Sequence, residues 1–377
     1  MHILHICEDN KFANLAKQQF EATNLADNTF LINSKKKLNY FPNSKNVICA
    51  KPFSKEYIAI LKSNINDLIV FHNCNQKYKW RITKVVSQDT KLLWLAWGSD
   101  IYNLPKLSGN LYKPLTQKTQ EGYSIDQIKI KLDKFIRIIL LKYRKQINSY
   151  KRINYCAPVM AQDLNILNEK YKLNIHLKKF TYGFLEYYIG ETTERISTGN
   201  SILVGNSADP SNNHIDTYEL LKYKKNTKII SPLSYGGNKK YISSVIKSGN
   251  IYFDKNYYPI TNFLSLEEYR EILYSCKASF MYHQRQQALG NIIMLLWMGV
   301  NVYLDEKNPI YNFYKLQGIY VSSINEFHKN PRKDIPALTG EQIQINRKQL
   351  QKLYSYKNVI KETKDLIRQI HNSPIPQ

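Results

Sequence analysis

Short apolar runs alternate with amphipathic segments along the chain. In the first half, the runs predict buried strands near 1–6, 28–32, 46–49, 67–71 and 91–95. The second half repeats the pattern, with strands predicted near 202–204, 227–233, 251–254, 278–283 and 300–304. Helical patterns separate most of these runs. Because strands that alternate with helices form parallel sheets, the pattern predicts an α/β protein with doubly wound sheets.

The length of the chain indicates more than one domain, since 377 residues exceed what one ordinary core accommodates. We predict a first domain over 1–180, a linker over 181–200 and a second domain over 201–335. The linker prediction rests on turn residues and weak periodicity. Residues 336–377 are predicted to form a C-terminal helix that packs back on the first domain.

Composition excludes several classes of protein. The five cysteines are scattered, odd in number and without a CxxC pair, which argues for a reducing compartment and against a zinc site. The N-terminus carries acids where a signal peptide needs its apolar region, and no apolar run reaches the roughly 18 residues that span a bilayer. A kinase or dehydrogenase is not indicated, since no Walker or GxGxxG sequence is present.

A net charge of +24 predicts an anionic partner, although lysine-rich coding in an AT-rich genome would also raise it. Residues 131–152 are predicted to form a basic amphipathic helix, which suits an anionic membrane surface or, alternatively, a core helix with a solvated basic face. The lipid-contacting candidates are Phe135, Ile136, Arg137, Ile139, Leu140, Lys142 and Arg144. Nucleic acid is not predicted as a partner, because aromatic residues are not interleaved with the basic ones.

Three predicted strands in the second half end in loops that lead to helices. The first loop begins at Gly205, Asn206 and Ser207, and the second spans 234–238. The third spans 284–291 and contains Arg285, whose guanidinium can clamp a phosphate through two hydrogen bonds. A single loop of this kind is equally consistent with an ordinary strand-to-helix turn and with an anion site. Three such loops in succession predict a nucleotide-diphosphate site at helix N-termini.

Polar residues also follow two predicted strands in the first half, where parallel sheets bind ligands. Asp100 could act as general base toward a hydroxyl or merely cap the next segment. His72 could assist catalysis or be a hydrogen-bonded structural residue. Trp94 and Trp97 could stack on a sugar or belong to the core. The candidate acceptor-binding residues are Trp97, Gly98 and Ser99.

The segments ILVGNSADPSNNH, PLSYG and RQQALGN, together with AWGSDIY in the first half, resemble glycosyltransferase family 56, the 4-acetamido-4,6-dideoxygalactose transferases. The resemblance implies a GT-B fold: two Rossmann-like domains facing a central cleft. It also implies that the second domain holds a nucleotide sugar and the first a polyprenyl-diphosphate-linked saccharide. Ala288 and Asn291 depart from an expected Gly and Thr. The expected donor-binding residues are Gly205, Asn206, Ser207, Ser234, Tyr235, Gly236, Arg285, Gln286, Gln287, Gly290 and Asn291.

We therefore predict a metal-independent transferase, without a cofactor, at the cytoplasmic face of the bacterial inner membrane. It would move a deoxyamino sugar from a dTDP-linked donor in surface polysaccharide synthesis. If the reaction inverts configuration, Asp100 or His72 takes the acceptor proton; if it retains configuration, no such base is needed. The alternative is an NDP-sugar 2-epimerase of the same architecture, which needs no lipid acceptor.

Overall fold

The computed structural model describes residues 1–34, 38–63, 65–74, 78–104, 106–107, 111–121, 142–190 and 194–374. The chain divides into two compact units. Unit 1 comprises Met1–Ser108, Asp133–Phe184 and Leu353–Gln377. Unit 2 comprises Gly109–Leu132 and Leu185–Lys352. Each unit is built on a parallel sheet, as the alternating pattern predicts.

The described part of unit 1 contains a parallel sheet of seven strands in the order β3-β2-β1-β4-β5-β6-β7. The strands are β1 (His2–Cys7), β2 (Asp27–Ile32), β3 (Val47–Cys49), β4 (Leu68–His72), β5 (Lys91–Ala96), β6 (Tyr155–Pro158) and β7 (His176–Leu177). The helices are α1 (Lys11–Glu21), α2 (Lys55–Leu61), α3 (Lys79–Ile82), α4 (Gly98–Tyr102), α6 (Lys142–Tyr150), α7 (Ala161–Tyr171) and α16 (Tyr356–Asn372). The strand order reverses direction between β1 and β4, and such reversal points are where ligands bind in open α/β sheets.

The C-terminal helix α16 completes the core of unit 1. Its apolar face buries Leu366, Ile367 and Ile370 in the cluster that contains Phe20 of α1 and Phe180. Removing such side chains from water provides roughly 1.5–3 kcal/mol each. The prediction that a C-terminal helix packs back on the N-terminal domain is therefore confirmed.

Unit 2 has a parallel sheet of six strands in its described part, in the order β10-β9-β8-β11-β12-β13. The strands are β8 (Ser201–Val204), β9 (Ile229–Pro232), β10 (Tyr257–Ile260), β11 (Cys276–Met281), β12 (Asn301–Leu304) and β13 (Ser322–Ser323). The helices are α5 (Pro114–Glu121), α8 (Leu185–Ile189), α9 (His214–Leu221), α10 (Lys239–Phe253), α11 (Leu266–Tyr274), α12 (Leu289–Trp297), α13 (Pro309–Leu316), α14 (Ile324–Lys329) and α15 (Gly340–Tyr354). Here the order reverses between β8 and β11, so the loops that follow these two strands are neighbours.

Two element predictions are wrong. The apolar run 251–254 is not a strand: Ile251 and Phe253 belong to the last turn of α10, where Phe253 is buried at helical spacing from Val245 and Gly249. The single terminal helix predicted over 341–371 is two helices, α15 and α16. They are separated at Ser355, whose extended backbone (ψ of 148°) interrupts the helical path.

Two further segments bear on the predicted division of the chain. Helix α5 is part of unit 2, although it precedes residue 180. Residues 131–141, half of the proposed membrane helix, lie outside the described residues, and they include Phe135, Ile136, Arg137, Ile139 and Leu140. Lys142 and Arg144 belong to the backbone of α6. Within the described ranges, no helix combines the length and the apolar character that crossing a membrane requires.

Candidate functional site

The buried side chain of Asn212 joins the loops that follow β8 and β11. Its Oδ1 accepts a hydrogen bond from the Asn206 amide and lies 2.8 Å from His283 Nε2. Its Nδ2 donates to Asp209 O and lies 3.2 Å from Ser207 Oγ. Because Oδ1 is an acceptor, His283 must carry its proton on Nε2. Burial lowers the pKa of His283 well below its ordinary value, and the charges of Arg285 and His214 lower it further.

Gly205 is required by this arrangement. It has a φ of +70°, and a Cβ built on it would lie 2.7 Å from Asn212 Oδ1 and 2.9 Å from His214 Nε2. Such a contact is shorter than real Cβ atoms show, and the left-handed backbone disfavours any side chain. The first position of the predicted loop therefore leaves room for the Asn212 side chain.

A second set of contacts joins Asn206 to the neighbouring loops. Asn206 Oδ1 accepts a hydrogen bond from Gln287 Nε2 at 3.2 Å, and its Nδ2 donates to the Tyr235 hydroxyl at 3.0 Å. Tyr235 also accepts the Ala208 amide through its carbonyl oxygen. The Gln287 Oε1 lies 2.6 Å from Ser211 Oγ. The loops after β8, β9 and β11 are thus held together by direct polar contacts.

Helix α12 begins beside this cluster without a side-chain cap. Asn238, Ser265 and Asn308 cap α10, α11 and α13 through their side chains, whereas the N-cap of α12 is Ala288. Alanine has no acceptor for the first helical amides, which leaves them available to an anion. The φ of Ala288 is +62°, which explains why a glycine suits this position.

Arg285 lies next to that helix start. It is 9% exposed, its Nη1 donates to Gln286 O at 3.0 Å, and its Nη2 lies 3.5 Å from Ser211 Oγ. Burial of the stem fixes the direction of the guanidinium, whose fork can bind a phosphate through two hydrogen bonds. The arrangement combines a fixed cation, uncapped helical amides and amide side chains, which are groups that bind a diphosphate.

The remaining predicted donor residues lie in the same loops. Gly236 has a φ of +72°, and a Cβ built on it would be 3.2 Å from the Asp209 amide nitrogen. Gly290 makes room for the Tyr188 ring, which would be 2.8 Å from its Cβ. Gly290 thus allows α12 to pack on α8. Ser234 follows β9, and Asn291 lies in the first turn of α12; both are half-buried.

In unit 1, His72 is the third member of a buried chain of hydrogen bonds. His5 Nε2 pairs with Asn28 Oδ1, His5 Nδ1 with His72 Nε2, and His72 Nδ1 with the Tyr182 hydroxyl, at 3.0, 3.0 and 3.1 Å. Both imidazoles are fully buried. Burial lowers the pKa of His5 to about 3 and that of His72 well below its ordinary value. Both rings are neutral at pH 7, and a strongly lowered pKa makes His72 a weak base.

Asp100 is also buried, but its chemistry differs. Its Oδ2 accepts hydrogen bonds from Trp94 Nε1 at 2.7 Å and from the Cys74 amide at 2.8 Å, so it joins the ends of β5 and β4. Burial raises the pKa of Asp100 to about 7, although these hydrogen bonds oppose the shift. A general base works best when its pKa is near the operating pH, which favours Asp100 over His72 for that role.

The predicted acceptor residues lie at this end of β5. Trp97 is the N-cap of α4, and its ring meets Phe12 and Tyr182 edge-on, with centroids 5.5 and 5.9 Å away. Gly98 and Ser99 form the first turn of α4. Trp94 is fully buried, so the interpretation that it stacks on a sugar is wrong.

A model of the family described as 4-alpha-L-fucosyltransferase, glycosyl transferase group 56, matches residues 156–354. The match covers more than half of the chain. The chain belongs to glycosyltransferase family 56. It is a glycosyltransferase, and the predicted resemblance is confirmed. Membership of family 56 does not favour the epimerase alternative.

Solved structures show the same fold at low sequence identity. A glycosyltransferase from Rickettsia africae is 11% identical, with a TM-score of 0.60 and 99% of each chain covered. The Escherichia coli trehalose-6-phosphate structure bound with UDP-2-fluoro glucose is 9% identical, with a TM-score of 0.64 and 99% of each chain covered. The N-terminal domain of Candida albicans trehalose-6-phosphate phosphatase is 10% identical, with a TM-score of 0.62, and the match covers 98% of this chain and 96% of that one. The family 56 chain thus has the predicted GT-B fold of two Rossmann-like units.

Sequence reasoning missed an ion pair at the reversal point of unit 1. Lys79 is fully buried, and its Nζ lies 2.8 Å from Glu8 Oε2 and 2.6 Å from His72 O. Glu8 also accepts the Tyr78 hydroxyl. Glu8 is the first acid after β1, so the rule that ligands bind beyond strand ends points to it. Nothing in the local sequence distinguishes Lys79 from the other cations between 77 and 81.

A second missed pair lies in unit 2. Asp305 follows β12 and is 1% exposed, and its Oδ2 lies 2.7 Å from Lys113 Nζ. An acidic residue directly after a strand can bind ribose hydroxyls or can be a solvated loop acid. The burial of Asp305 and its ion pair with Lys113 exclude the solvated loop acid. In the described residues, no group of three or more His, Cys, Asp and Glu could hold a metal ion.

Substituting Gly205 with alanine should destabilise unit 2 by more than the same change at Gly318. Both glycines have a φ of +70°, but nothing lies within 4 Å of a Cβ at Gly318. The left-handed backbone alone costs about 1–2 kcal/mol. Gly205→Ala must in addition displace Asn212, which adds about 1–3 kcal/mol for its lost hydrogen bonds. Urea unfolding of the two variants measures the difference, and equal losses would contradict the role assigned to Gly205.

Proposed function

We propose that the enzyme transfers a deoxyamino sugar from a nucleotide-diphosphate donor, of the dTDP type, to a polyprenyl-diphosphate-linked saccharide in bacterial surface polysaccharide synthesis. The donor diphosphate lies against the loops after β8 and β11. The observation that carries this proposal is the meeting of Arg285, the amide side chains of Asn206 and Gln287, and the uncapped start of α12 at one reversal point. These groups stabilise the negative charge that develops on the departing nucleotide.

Asp100 is the proposed general base for the acceptor hydroxyl. Its pKa of about 7 suits proton transfer near neutral pH. His72, which is buried and neutral, instead positions the end of β4 through its hydrogen bonds. The charge developing on the donor side is offset by Arg285, so the proposal needs no metal ion or cofactor. Trp97, Gly98 and Ser99 are proposed to contact the acceptor.

The proposed donor specificity can be tested by thermal unfolding with a panel of nucleotide sugars. A ligand that binds only the folded state stabilises it by about 2.7 kcal/mol at 100 times its dissociation constant. We expect dTDP-linked sugars to raise the melting temperature more than UDP-, GDP- or CMP-linked ones, with and without EDTA. Gly205→Ala should abolish the shift and Gly318→Ala should keep it. A panel without any shift would contradict the donor site, and a shift that EDTA removes would contradict metal independence.

The role of Asp100 is tested by Asp100→Asn. Asparagine keeps an oxygen that accepts the Trp94 and Cys74 hydrogen bonds, but it cannot take a proton. Turnover should fall by roughly a hundredfold or more, with donor affinity unchanged. In the wild type, turnover should rise with pH and level off above about 7, because the ionised carboxylate is the active form.

The matched control for this substitution is Asp67→Asn. Asp67 accepts a hydrogen bond from the His2 amide at the opposite, amino-terminal edge of the sheet, so turnover should be unaffected. If Asp100→Asn turns over at the wild-type rate, Asp100 is not the base. That result would favour a retaining reaction, in which Asp100 only positions the ends of β4 and β5.

We also propose that residues 131–152 bind the anionic inner face of the bacterial membrane, which brings the enzyme to its lipid-linked acceptor. The support is the sequence of this segment, in which cations flank a broad apolar stripe.

Vesicle sedimentation tests the membrane proposal. Binding should require phosphatidylglycerol, and replacing Lys142 and Arg144 by glutamine should weaken it about thirtyfold, at roughly 1 kcal/mol for each cation near the surface. Replacing the exposed Lys357 and Lys361 of α16 serves as the control. Equal binding to neutral vesicles, or equal losses in the two variants, would contradict the proposal.

A further inference from the structure

The start of α5 crosses the carboxyl-terminal edge of the sheet of unit 2. The Lys113 amide donates to Asn213 Oδ1 at 2.8 Å, and Asn213 Nδ2 lies 3.3 Å from Leu111 O. Asn213 is fully buried and also donates to Tyr282 O, after β11. A segment distant in sequence is therefore fixed to the loops after β8 and β11.

Two carboxylates hold the other side of this segment. Asp216 accepts the amides of Leu115 and Thr116 at 2.9 and 2.8 Å, which caps the first turn of α5. Asp305, after β12, forms the buried ion pair with Lys113. The Lys113 ammonium also lies 4.4 Å from the Tyr282 ring centroid. Residues 111–116 thus contact the loops that follow three adjacent strands, β8, β11 and β12.

Tyr112 lies between the two fixed residues of this crossing, Leu111 and Lys113. It is 37% exposed, which leaves part of its side chain accessible to a ligand. Burial raises its pKa, the charge of Asp209 raises it further, and the charge of Arg285 lowers it. The contacts of Leu111 and Lys113 with Asn213 bring this segment to the loop after β8. In that loop, Ser211 Oγ lies 3.5 Å from Arg285 Nη2. Asp209 is engaged by Ser211, whose amide donates to Asp209 Oδ1 and whose Oγ lies 2.6 Å from the same oxygen.

We infer that Tyr112 is a donor-binding residue whose hydroxyl donates a hydrogen bond to the diphosphate beside Arg285. The inference rests on the proposed donor site, to which it adds a residue outside 201–335. Asn213, Asp216 and the Lys113–Asp305 ion pair are positioning groups that hold the tyrosine at the sheet edge. A tyrosine hydroxyl and a guanidinium can present separate donors to separate phosphate oxygens.

The test is Tyr112→Phe, which removes the hydroxyl and keeps the ring. Titration calorimetry with dTDP or UDP should show about tenfold weaker binding, as expected for a lost hydrogen bond to a charged group. Inorganic pyrophosphate, used as a competitor, should weaken in parallel. The control is Tyr320→Phe: this tyrosine is 39% exposed and precedes β13, so it lies at the opposite edge of the same sheet. Its substitution should leave both affinities unchanged.

The outcomes separate the two proposals. If the wild type binds the nucleotide and Tyr112→Phe binds it within twofold, the inference about Tyr112 is wrong and the donor site remains. A loss for the nucleotide without a loss for pyrophosphate, or pyrophosphate that does not compete at all, contradicts the phosphate contact. A wild-type protein that binds no nucleoside diphosphate overturns the donor site and the inference with it. Equal melting temperatures of the two variants exclude misfolding as the cause.

Discussion

The arrangement of unit 2 depends on the hydrogen bonds of one buried amide, that of Asn212. Its two polar atoms satisfy a backbone amide, a backbone carbonyl, a hydroxyl and an imidazole that come from two different loops. A buried polar group that loses its partners costs about 1–3 kcal/mol, so the loss of any of these contacts destabilises the arrangement. The requirement fixes the tautomer of His283, excludes a side chain at Gly205 and sets the path of the loop that carries Asn206.

In unit 1, a buried ion pair helps to position the loops at the point where the strand order reverses. At its reversal point a fully buried ammonium, that of Lys79, is held between Glu8 and a carbonyl oxygen at the end of β4. Burying a charge is costly unless it is paired and hydrogen-bonded, and the geometry of such a pair is correspondingly restricted. The neutral hydrogen-bonded chain from Asn28 to Tyr182 passes through His5 of β1 and His72 of β4. The loops that end β1 and β4 are therefore positioned by desolvated polar contacts as well as by apolar packing.

Much of the fold could be predicted from the sequence, because apolar periodicity records which faces are buried. The strand predicted at 251–254 was wrong because an amphipathic helix ending in Ile251 and Phe253 gives an apolar run too short to distinguish from a strand. In the site, Gly205 and Arg285 were found because loop and cation signals are local. Lys113 and Asn212 were missed because their roles depend on partners brought together by folding, some of them far away in sequence. His72 was identified, but its burial between His5 and Tyr182 leaves no trace in the sequence.

The chain enters each of the two units more than once, and this limits which of its segments can be exchanged with those of a relative. Helix α16 completes the core of unit 1, although it follows all of unit 2, and α5 belongs to unit 2, although it precedes most of that unit. A gene fragment cut at a single point would therefore leave one half without a structural element of its own. A hybrid that takes unit 2 from a relative needs to exchange α5 together with 185–352, while keeping the native tail.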